Sequence, residues 1–282
     1  MFIRYPQAIV CRVTGKDGKR YLQNRLSNDI QALPPGASCS AAALSPQGKI
    51  EGVFLVINVA EGEYLLAADG GERSQVLGAL QRFKVAERAE FKDESDSVTV
   101  FHCDGILDSI KAPGGFVAKA PRFSSTGMHL IVPRGESTEV IKKLTALTQE
   151  LSGEALTIER VRKNVPSFPE ELNDKLLLSE AGVKDLISFT KGCYVGQEVV
   201  AKIDALGKAP RVLVRFRSTN SGGSLQGASV SVSANETRSV GTILTSVSDG
   251  ASGEEIGFAA LKNDPAVLKG ALLAAGSSIS LL

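Results

Sequence analysis

The hydrophobic pattern of the chain changes near residue 207. Before this point, strand-like runs alternate with stretches whose apolar residues recur every three or four positions, as in amphipathic helices. After it, short alternating runs are separated by Gly, Ser and Asn turns, at 211–217, 228–233, 239–246, 255–260 and 277–282. The pattern therefore predicts an α+β region over residues 1–206 and a small β-barrel or sandwich over 207–282.

The first region contains nine predicted elements, six strands and three helices. Strands are expected at 7–14, at 40–44, from the Ser45-Pro46-Gln47-Gly48 turn through Ile57, and at 64–68, 98–102 and 128–132. Helices are expected around Val76–Phe83 and Val140–Leu147. A further helix should begin after Asp17 and end before Pro34, because Leu22, Leu26, Ile30 and Leu33 recur at helical spacing.

Composition limits the function. Among 282 residues, 32 are basic and 31 are acidic, which argues against a dedicated nucleic-acid binder and against direct tRNA binding. No apolar run approaches the roughly 18 residues that span a membrane, and no signal peptide is recognisable. The four cysteines are scattered and lack metal-site spacing, so a reducing, cytoplasmic setting without a membrane is expected.

The densest chemistry lies in the octapeptide Lys191–Glu198, with the sequence KGCYVGQE. Gly192 and Gly196 flank Cys193 and suit a turn or a close approach to a ligand. An ammonium group of Lys191 close to Cys193 would favour the thiolate. The alternative is that Cys193 is a small buried hydrophobe.

A self-contained site around Cys193 is not expected. A Cys–His nucleophile would need His102 or His129, and both lie in strand patterns that favour a structural role. One cysteine cannot hold an iron–sulfur cluster alone, but it can supply one ligand to a cluster shared with another molecule. No metal site on this chain alone is predicted.

Three weaker candidates lie elsewhere. Ser27-Asn28-Asp29 forms either a helix cap and turn or a carboxylate that faces a pocket. Arg160 and its basic neighbours through Lys163 form either a solvated helix face or an anion contact. Little can be inferred about function from three further acidic residues taken one at a time: Glu170, Glu171 and Glu180.

The order of these motifs resembles that of a known family. The octapeptide, preceded by Ile187-Ser188-Phe189-Thr190, closely resembles the signature of the YgfZ-type family, relatives of the glycine-cleavage T-protein (an aminomethyltransferase) that are implicated in iron–sulfur protein maturation. Weaker matches follow the family's order along nearly the whole chain: Gly15 with Asp17, Leu22–Asp29, Leu44–Ile50, Glu180–Gly182, and Val240–Thr242 with Thr245-Ser246.

The resemblance implies two interleaved α+β lobes around a central cavity, with a central lobe at about 46–150, and a C-terminal β-barrel. It also implies binding of tetrahydrofolate or a derivative, and basic side chains would suit its glutamate tail. Cys193 would be the functional thiol or transient cluster ligand, and Asp29 the pocket carboxylate. The expected folate-binding residues are Asn28, Asp29, Arg160, Glu180, Lys191, Tyr194, Gln197 and Glu198.

Three residues depart from the family pattern and affect the folate contacts. Lys202 stands where the family usually has arginine, which replaces a bidentate fork by a point charge. Arg162 stands where the family pattern has a glutamate, which reverses the charge at that position. Asn164 replaces a glycine but can adopt the same left-handed backbone.

The resemblance favours an accessory factor over an enzyme. Such a factor would bind folate and act through Cys193 on iron–sulfur assembly or client proteins, including those of tRNA modification. The alternative is a folate-dependent one-carbon transferase, of the aminomethyltransferase or demethylase type. A third hypothesis, an RNA-binding module, is opposed by the near-zero net charge.

Overall fold

The structure is a computed structural model and describes residues 1–105, 114–219, 223–232 and 238–282. In these ranges the chain forms two β-sheets, a closed barrel and six α-helices. The helices are α1 Gly18–Arg25, α2 Arg73–Gln81, α3 Ser137–Leu147, α4 Gly153–Lys163, α5 Gln197–Leu206 and α6 Pro265–Leu268.

The first sheet is antiparallel and is buried on both faces. Residues that alternate along a strand point to opposite sides, so Ile9 and Cys11 pack towards α1 and α2 while Val10 packs towards the second sheet. Such two-sided burial explains the nearly continuous apolar runs of its central strands. In spatial order the strands are Ser38–Leu44, Ile50–Ala60, Glu63–Ala68, Ile9–Thr14 and Glu90–Asp93.

The second sheet packs one face against the first sheet and the other against α3. Phe2, Phe101 and Leu130 form a cluster with Val140 and Leu144 of that helix. In spatial order its strands are Glu150–Leu151, Phe2–Tyr5, Val98–Asp104, Gly127–Pro133 and Phe116–Lys119.

The two lobes are interleaved in sequence. Phe2–Tyr5 pairs in the second sheet, and the next strand, Ile9–Thr14, pairs in the first. The strands within the predicted central lobe divide between the sheets, since those from Ile50 to Asp93 join the first and those from Val98 onwards join the second. The sheets therefore do not follow the 46–150 boundary.

The C-terminal strands close into a barrel, as the turn-rich pattern predicted. Its order is Arg211–Ser218, Glu254–Lys262, Gly241–Asp249, Ser229–Ser231, Leu272–Ala274 and Ser277–Leu281, which pairs back with the first strand. Residue 233 of the predicted strand 228–233 lies outside the described residues. The fold is thus α+β with a C-terminal barrel, in agreement with the sequence.

One predicted helix begins where expected but is shorter than predicted. The first helix ends at Arg25 and does not continue to Leu33. Leu26 is extended, with φ −104° and ψ 152°, and forms a β-bridge with Ala43. Leu26, Ile30 and Leu33 are nevertheless buried in the core of the first lobe, so their helical spacing reflects burial and not a helix.

Candidate functional site

The octapeptide Lys191–Glu198 lies over the C-terminal end of α1. The Ser188 N–H donates to the Ser27 carbonyl oxygen at 3.0 Å, and the Val195 N–H donates to the Asn24 carbonyl oxygen at 3.1 Å. Backbone hydrogen bonds therefore fix the loop on both sides of Cys193. The octapeptide then runs directly into α5.

Lys191 anchors the loop from inside. Its buried ammonium donates to the carbonyl oxygens of Gln23, Leu26 and Asn28, each at 2.6 Å. A cation at the C-terminal end of a helix interacts favourably with the helix dipole. Burial lowers the pKa of Lys191 to about 8, while nearby Asp29 acts to raise it.

This geometry changes the interpretation of Lys191. The sequence indicated that its ammonium would favour the Cys193 thiolate if it lay close to Cys193. The ammonium is instead held by three carbonyl groups, and the side chains whose charge affects its pKa are Asp29 first and then Cys39. Lys191 is a structural clamp between the octapeptide and α1.

Cys193 is exposed, whereas the other three cysteines are not. Burial raises the pKa of Cys11 and Cys103 to about 12 and that of the half-buried Cys39 to about 11. Thiols with raised pKa values are poor nucleophiles and ligands at neutral pH. The interpretation as a small buried hydrophobe thus applies to Cys11 and Cys103, and not to Cys193.

The two glycines of the octapeptide differ in what they permit. Gly196 has a φ of +85°, and a Cβ atom there would lie 2.6 Å from the carbonyl oxygen of Ser45. Gly196 therefore lets the loop approach the Ser45–Gly48 turn closely. Gly192 meets nothing within 4 Å, so no close approach requires a glycine at that position.

Asn28 and Asp29 organise the segment after α1. One carboxylate oxygen of Asp29 accepts hydrogen bonds from the Gln23 side chain and from the N–H groups of Gln31 and Ala32, each at 3.1 Å. These hydrogen bonds match the alternative in which Asp29 forms a turn after the helix, and not the one in which it faces a pocket. The Asn28 amide donates to the carbonyl oxygens of Ser40 and Asp185 at 2.8 Å.

Tyr194, Gln197 and Glu198 complete the loop. Tyr194 is buried, which raises its pKa to about 12, and its ring lies 5.1 Å from the Lys191 ammonium. The Gln197 side chain accepts from the Tyr194 N–H at 3.3 Å, whereas Glu198 is exposed in the first turn of α5.

Arg160 is buried and does not belong to a solvated helix face. Its guanidinium contacts both carboxylate oxygens of Glu171 at 2.5 Å. Glu171 also accepts from the Ser167 N–H at 2.8 Å and from the hydroxyl of Thr245, a barrel residue. Burial raises the pKa of the Glu171 carboxyl. The charge of Arg160 acts in the opposite direction but does not cancel this effect, so the pKa lies above its ordinary value. The pair joins α4 to the barrel.

Glu180 makes a second connection to the barrel. Its carboxylate accepts from the Arg211 guanidinium at 2.8 and 3.0 Å and from the Leu177 N–H at 2.9 Å. Since Glu180 is buried, these bonds compensate for the loss of its hydration.

An inner cavity of about 270 Å³ lies between the two sheets. Leu55 and Ala67 of the first sheet and His129 of the second contribute to its walls. The segment from Asn164 to Leu172 closes it, and Phe168 and Leu172 supply apolar surface. Its polar lining includes Ser40, Asp69, Arg122 and Asp185.

An outer cleft of about 900 Å³ adjoins this cavity and extends to the barrel. The two share Asp69, Arg122 and Phe168, and an Asp69–Arg122 ion pair stands at their junction. Gly71 has a φ of +113°, and a Cβ atom there would lie 2.7 Å from the Phe168 ring. The glycine therefore allows Phe168 to reach the junction.

The two histidines are buried in the second sheet. His102 and His129 are paired across adjacent strands with ring centroids 5.3 Å apart. Burial lowers the pKa of both, so both are neutral at pH 7. Within the described residues, the ring nitrogens of His129 have no hydrogen-bond partner. Their structural role stays a prediction.

The predicted site residues do not form one pocket. Among the described residues, Arg160 is the one predicted folate-binding residue that lines either cavity. Asn28 lies behind the inner wall, because it bonds the backbone of Ser40 and Asp185. The octapeptide forms a separate surface around Cys193.

The sequence did not identify the residues at the junction. Asp69 carried a signal, since it is a carboxylate at the end of a buried strand and precedes Gly70-Gly71. Arg122 and Phe168 carried none, because they come from distant loops that only the tertiary fold brings together.

The described ranges contain no group of three or more His, Cys, Asp or Glu side chains placed to bind a metal ion. In the same part of the chain, no helix is both long enough and apolar enough to span a membrane.

Comparison with known proteins finds no family model that matches the chain, but it finds similar proteins. The tRNA-modifying protein YgfZ of Vibrio vulnificus is 27% identical over 221 residues, covering 73% of this chain and 67% of that protein. A mitochondrial iron–sulfur cluster assembly factor IBA57 homolog of Mycosarcoma maydis is 26% identical over 231 residues, covering 75% of this chain and 55% of that protein.

A solved structure shares the fold. The glycine cleavage system aminomethyltransferase T of Bartonella henselae superposes with a TM-score of 0.80 at 12% identity, over 99% of this chain and 84% of that one. At this identity the likeness concerns the fold alone. The chain is therefore similar in sequence to proteins named YgfZ and IBA57 homolog, and it shares the fold of the glycine-cleavage aminomethyltransferase.

Proposed function

We propose that this protein is a folate-binding accessory factor for the assembly or repair of iron–sulfur proteins, and that it acts through Cys193 together with partner proteins. The names of the relatives support iron–sulfur maturation and tRNA modification as its setting. The observation that carries the proposal is that Cys193 is exposed on a loop whose backbone and Lys191 are fixed to the first lobe.

Cys193 acts on a partner in this proposal. A thiolate is a ligand for iron, and one cysteine supplies one of the several ligands that a cluster needs. The other ligands come from the partner, so the cluster is the cargo of an encounter between two proteins. Phe189, four residues before the cysteine, is 53% exposed and offers apolar contact area beside it. Direct tRNA contact is not proposed, because the net charge is +1.

A reducing, cytoplasmic compartment suits this role. All four cysteines are free, and a Cys193 thiol would have to stay reduced to serve as a ligand.

The two cavities fit a folate by size and chemistry. Ligand sites typically occupy about 300–1,000 Å³ and combine apolar walls with a few polar groups. The inner cavity, of about 270 Å³, has apolar walls and an ion pair at its mouth, which suits a flat pterin ring. The outer cleft has room for the rest of the molecule.

In this arrangement Phe168, Leu55 and Leu172 would pack against the ring, while Asp69 and Arg122 would offer an acceptor and donors for its polar edge. Tetrahydrofolate, when bound, supplies a carrier for one-carbon units. The chain's own residues exclude water from the ring and fix its orientation. Asp29 supports the loop beneath Lys191 and is not proposed as a direct contact.

The thiol is tested in cells that lack their own YgfZ-type protein. We expect the wild-type chain and Cys39→Ala to restore the activity of a cluster-dependent enzyme, and Cys193→Ser to fail at equal protein abundance. Cys39→Ala is the matched control because Cys39 is half-buried beside Lys191. Full activity with Cys193→Ser would contradict the proposed role of the thiol.

A second candidate function is a folate-dependent one-carbon transferase. The fold favours it, since the superposition with an aminomethyltransferase covers 99% of this chain. Formation of methylene-tetrahydrofolate from an aminomethyl or methylamine donor by the purified protein would establish this function. No product above the rate without protein would exclude it for those donors.

A further inference from the structure

We propose that the outer cleft selects folates with a single glutamate and disfavours polyglutamyl folates. This inference rests on the proposed function, because it concerns which form of folate the cavities bind. It also reverses the expectation that basic side chains would receive the glutamate tail.

The described residues of the outer cleft carry an excess of negative charge. Five carboxylates line it against two guanidinium groups, those of Arg122 and Arg160. The five acidic residues are Asp69, Glu72, Glu154, Glu170 and Glu255.

Both arginines are already engaged. Arg122 pairs with Asp69, and Arg160 contacts both carboxylate oxygens of Glu171 at 2.5 Å. Each arginine thus has a carboxylate that already compensates its positive charge. Their remaining N–H groups can still donate hydrogen bonds, but neither arginine adds an uncompensated positive charge that would attract the tail.

Among the described residues, Glu72, Glu154 and Glu255 have no ion-pair partner, and Glu170 has only a long contact with Arg160. Glu154 lies exposed in the first turn of α4, and Glu170 is bonded to the Ser167 hydroxyl, with Arg160 no closer than 4.0 Å. Glu255 is 7% exposed and accepts from the Ser246 hydroxyl. Glu72 caps the start of α2.

A longer glutamate tail brings more negative charge into the acidic cleft. Each further γ-linked glutamyl residue adds one negative charge to the ligand at the end that lies in the cleft. The carboxylates of the tail and those of the cleft repel each other. Salt weakens this repulsion, because charges in 0.1 M salt are screened over about 10 Å. We expect a triglutamyl folate to bind roughly tenfold more weakly than the monoglutamyl form at low salt.

The experiment is a calorimetric titration of the full-length protein with tetrahydrofolate monoglutamate and triglutamate, each at low and high salt. The test variant is Glu154→Gln/Glu170→Gln, which removes two exposed charges of the cleft. The matched control is Glu159→Gln, which changes a residue of α4 that does not line the cleft.

We expect the triglutamate to bind more weakly than the monoglutamate to both the wild type and the control variant. This difference in affinity should shrink at high salt and in the double variant. Equal or tighter binding of the triglutamate by the wild type would overturn the inference and leave folate binding intact. A difference that the double variant leaves unchanged would also overturn it. If neither folate binds, the proposed function itself fails.

Discussion

At the level of single residues, different residues of the octapeptide have different roles. Lys191 and Gly196 hold the loop in place, the first by three carbonyl hydrogen bonds and the second by a close approach to Ser45. Cys193 is left exposed between them. The sequence predicted an exposed loop, and Cys193 is exposed. It could not show that the lysine points inward, because its carbonyl partners lie more than 160 residues away.

The two glycines provide a matched test of the loop geometry. Gly196→Ala should destabilise the protein by about 1–3 kcal/mol, because the residue has a positive φ and its Cβ would contact the Ser45 carbonyl. Gly192→Ala should change the free energy of unfolding by no more than about 0.5 kcal/mol. Urea denaturation measures both, and equal effects of the two substitutions would show that the loop is not held as described.

Replacement of Lys191 tests the clamp. Lys191→Met should lower the free energy of unfolding by about 2 kcal/mol at pH 7, because three carbonyl oxygens lose a charged donor. Lys202→Met, on the exposed face of α5, is the control and should have little effect. A neutral result for Lys191→Met would mean that the burial cost of the ammonium cancels its hydrogen bonds.

The clamp also has a pH signature. The pKa of Lys191 in the folded protein is about 8, below its ordinary 10.5, so the unfolded chain binds more protons between these values. This residue should therefore make the folded state more stable as pH rises from 8 towards 10.5, and the contribution is lost again as pH falls through 8. The stability of the wild type minus that of Lys191→Met, measured in urea at several pH values, should rise over this range. A flat difference would contradict the lowered pKa.

At the scale of elements, burial and hydrogen bonding override local patterns. The spacing of Leu22, Leu26, Ile30 and Leu33 predicted one helix, yet the chain leaves the helix at Leu26 to bridge Ala43. The same core buries all four side chains, so the pattern predicted the burial correctly and the conformation only in part. Similarly, the sequence leaves the basic end of α4 as either a solvated face or an anion contact, because it does not show that Glu171 lies opposite Arg160.

The two arginines of α4 should differ in their contribution to stability. Arg160→Met should destabilise the protein by about 3–5 kcal/mol, because it leaves the buried Glu171 without its cation. Arg162 pairs with Asp249 at 2.6 Å, but its side chain is 49% exposed, so Arg162→Met should cost at most about 1 kcal/mol. Urea denaturation compares the two, and similar losses would contradict the assignment of Arg160–Glu171 as the main polar link to the barrel.

At the scale of the whole molecule, the order of motifs predicted the architecture better than it predicted the cavity. The turn-rich C-terminal pattern predicted a barrel or a sandwich, because short strands with regular turns have few other ways to bury their apolar faces, and the structure forms the barrel. The inner cavity instead joins Ser40, Asp69, Arg122 and Phe168, which lie far apart in sequence and share no local signal. Only the packing of the two sheets brings these residues together.

We propose that the inner cavity binds folate and that the Cys193 loop is a separate site on the same scaffold. The most direct test of this proposal is titration of purified protein with tetrahydrofolate for the wild type, Cys193→Ser and Ser40→Leu, the last of which fills the inner cavity from a half-buried strand position. We expect one folate per chain, equal affinity for the wild type and Cys193→Ser, and at least roughly tenfold weaker binding by Ser40→Leu. Absence of binding by the wild type, or loss of binding by Cys193→Ser with normal binding by Ser40→Leu, would contradict it.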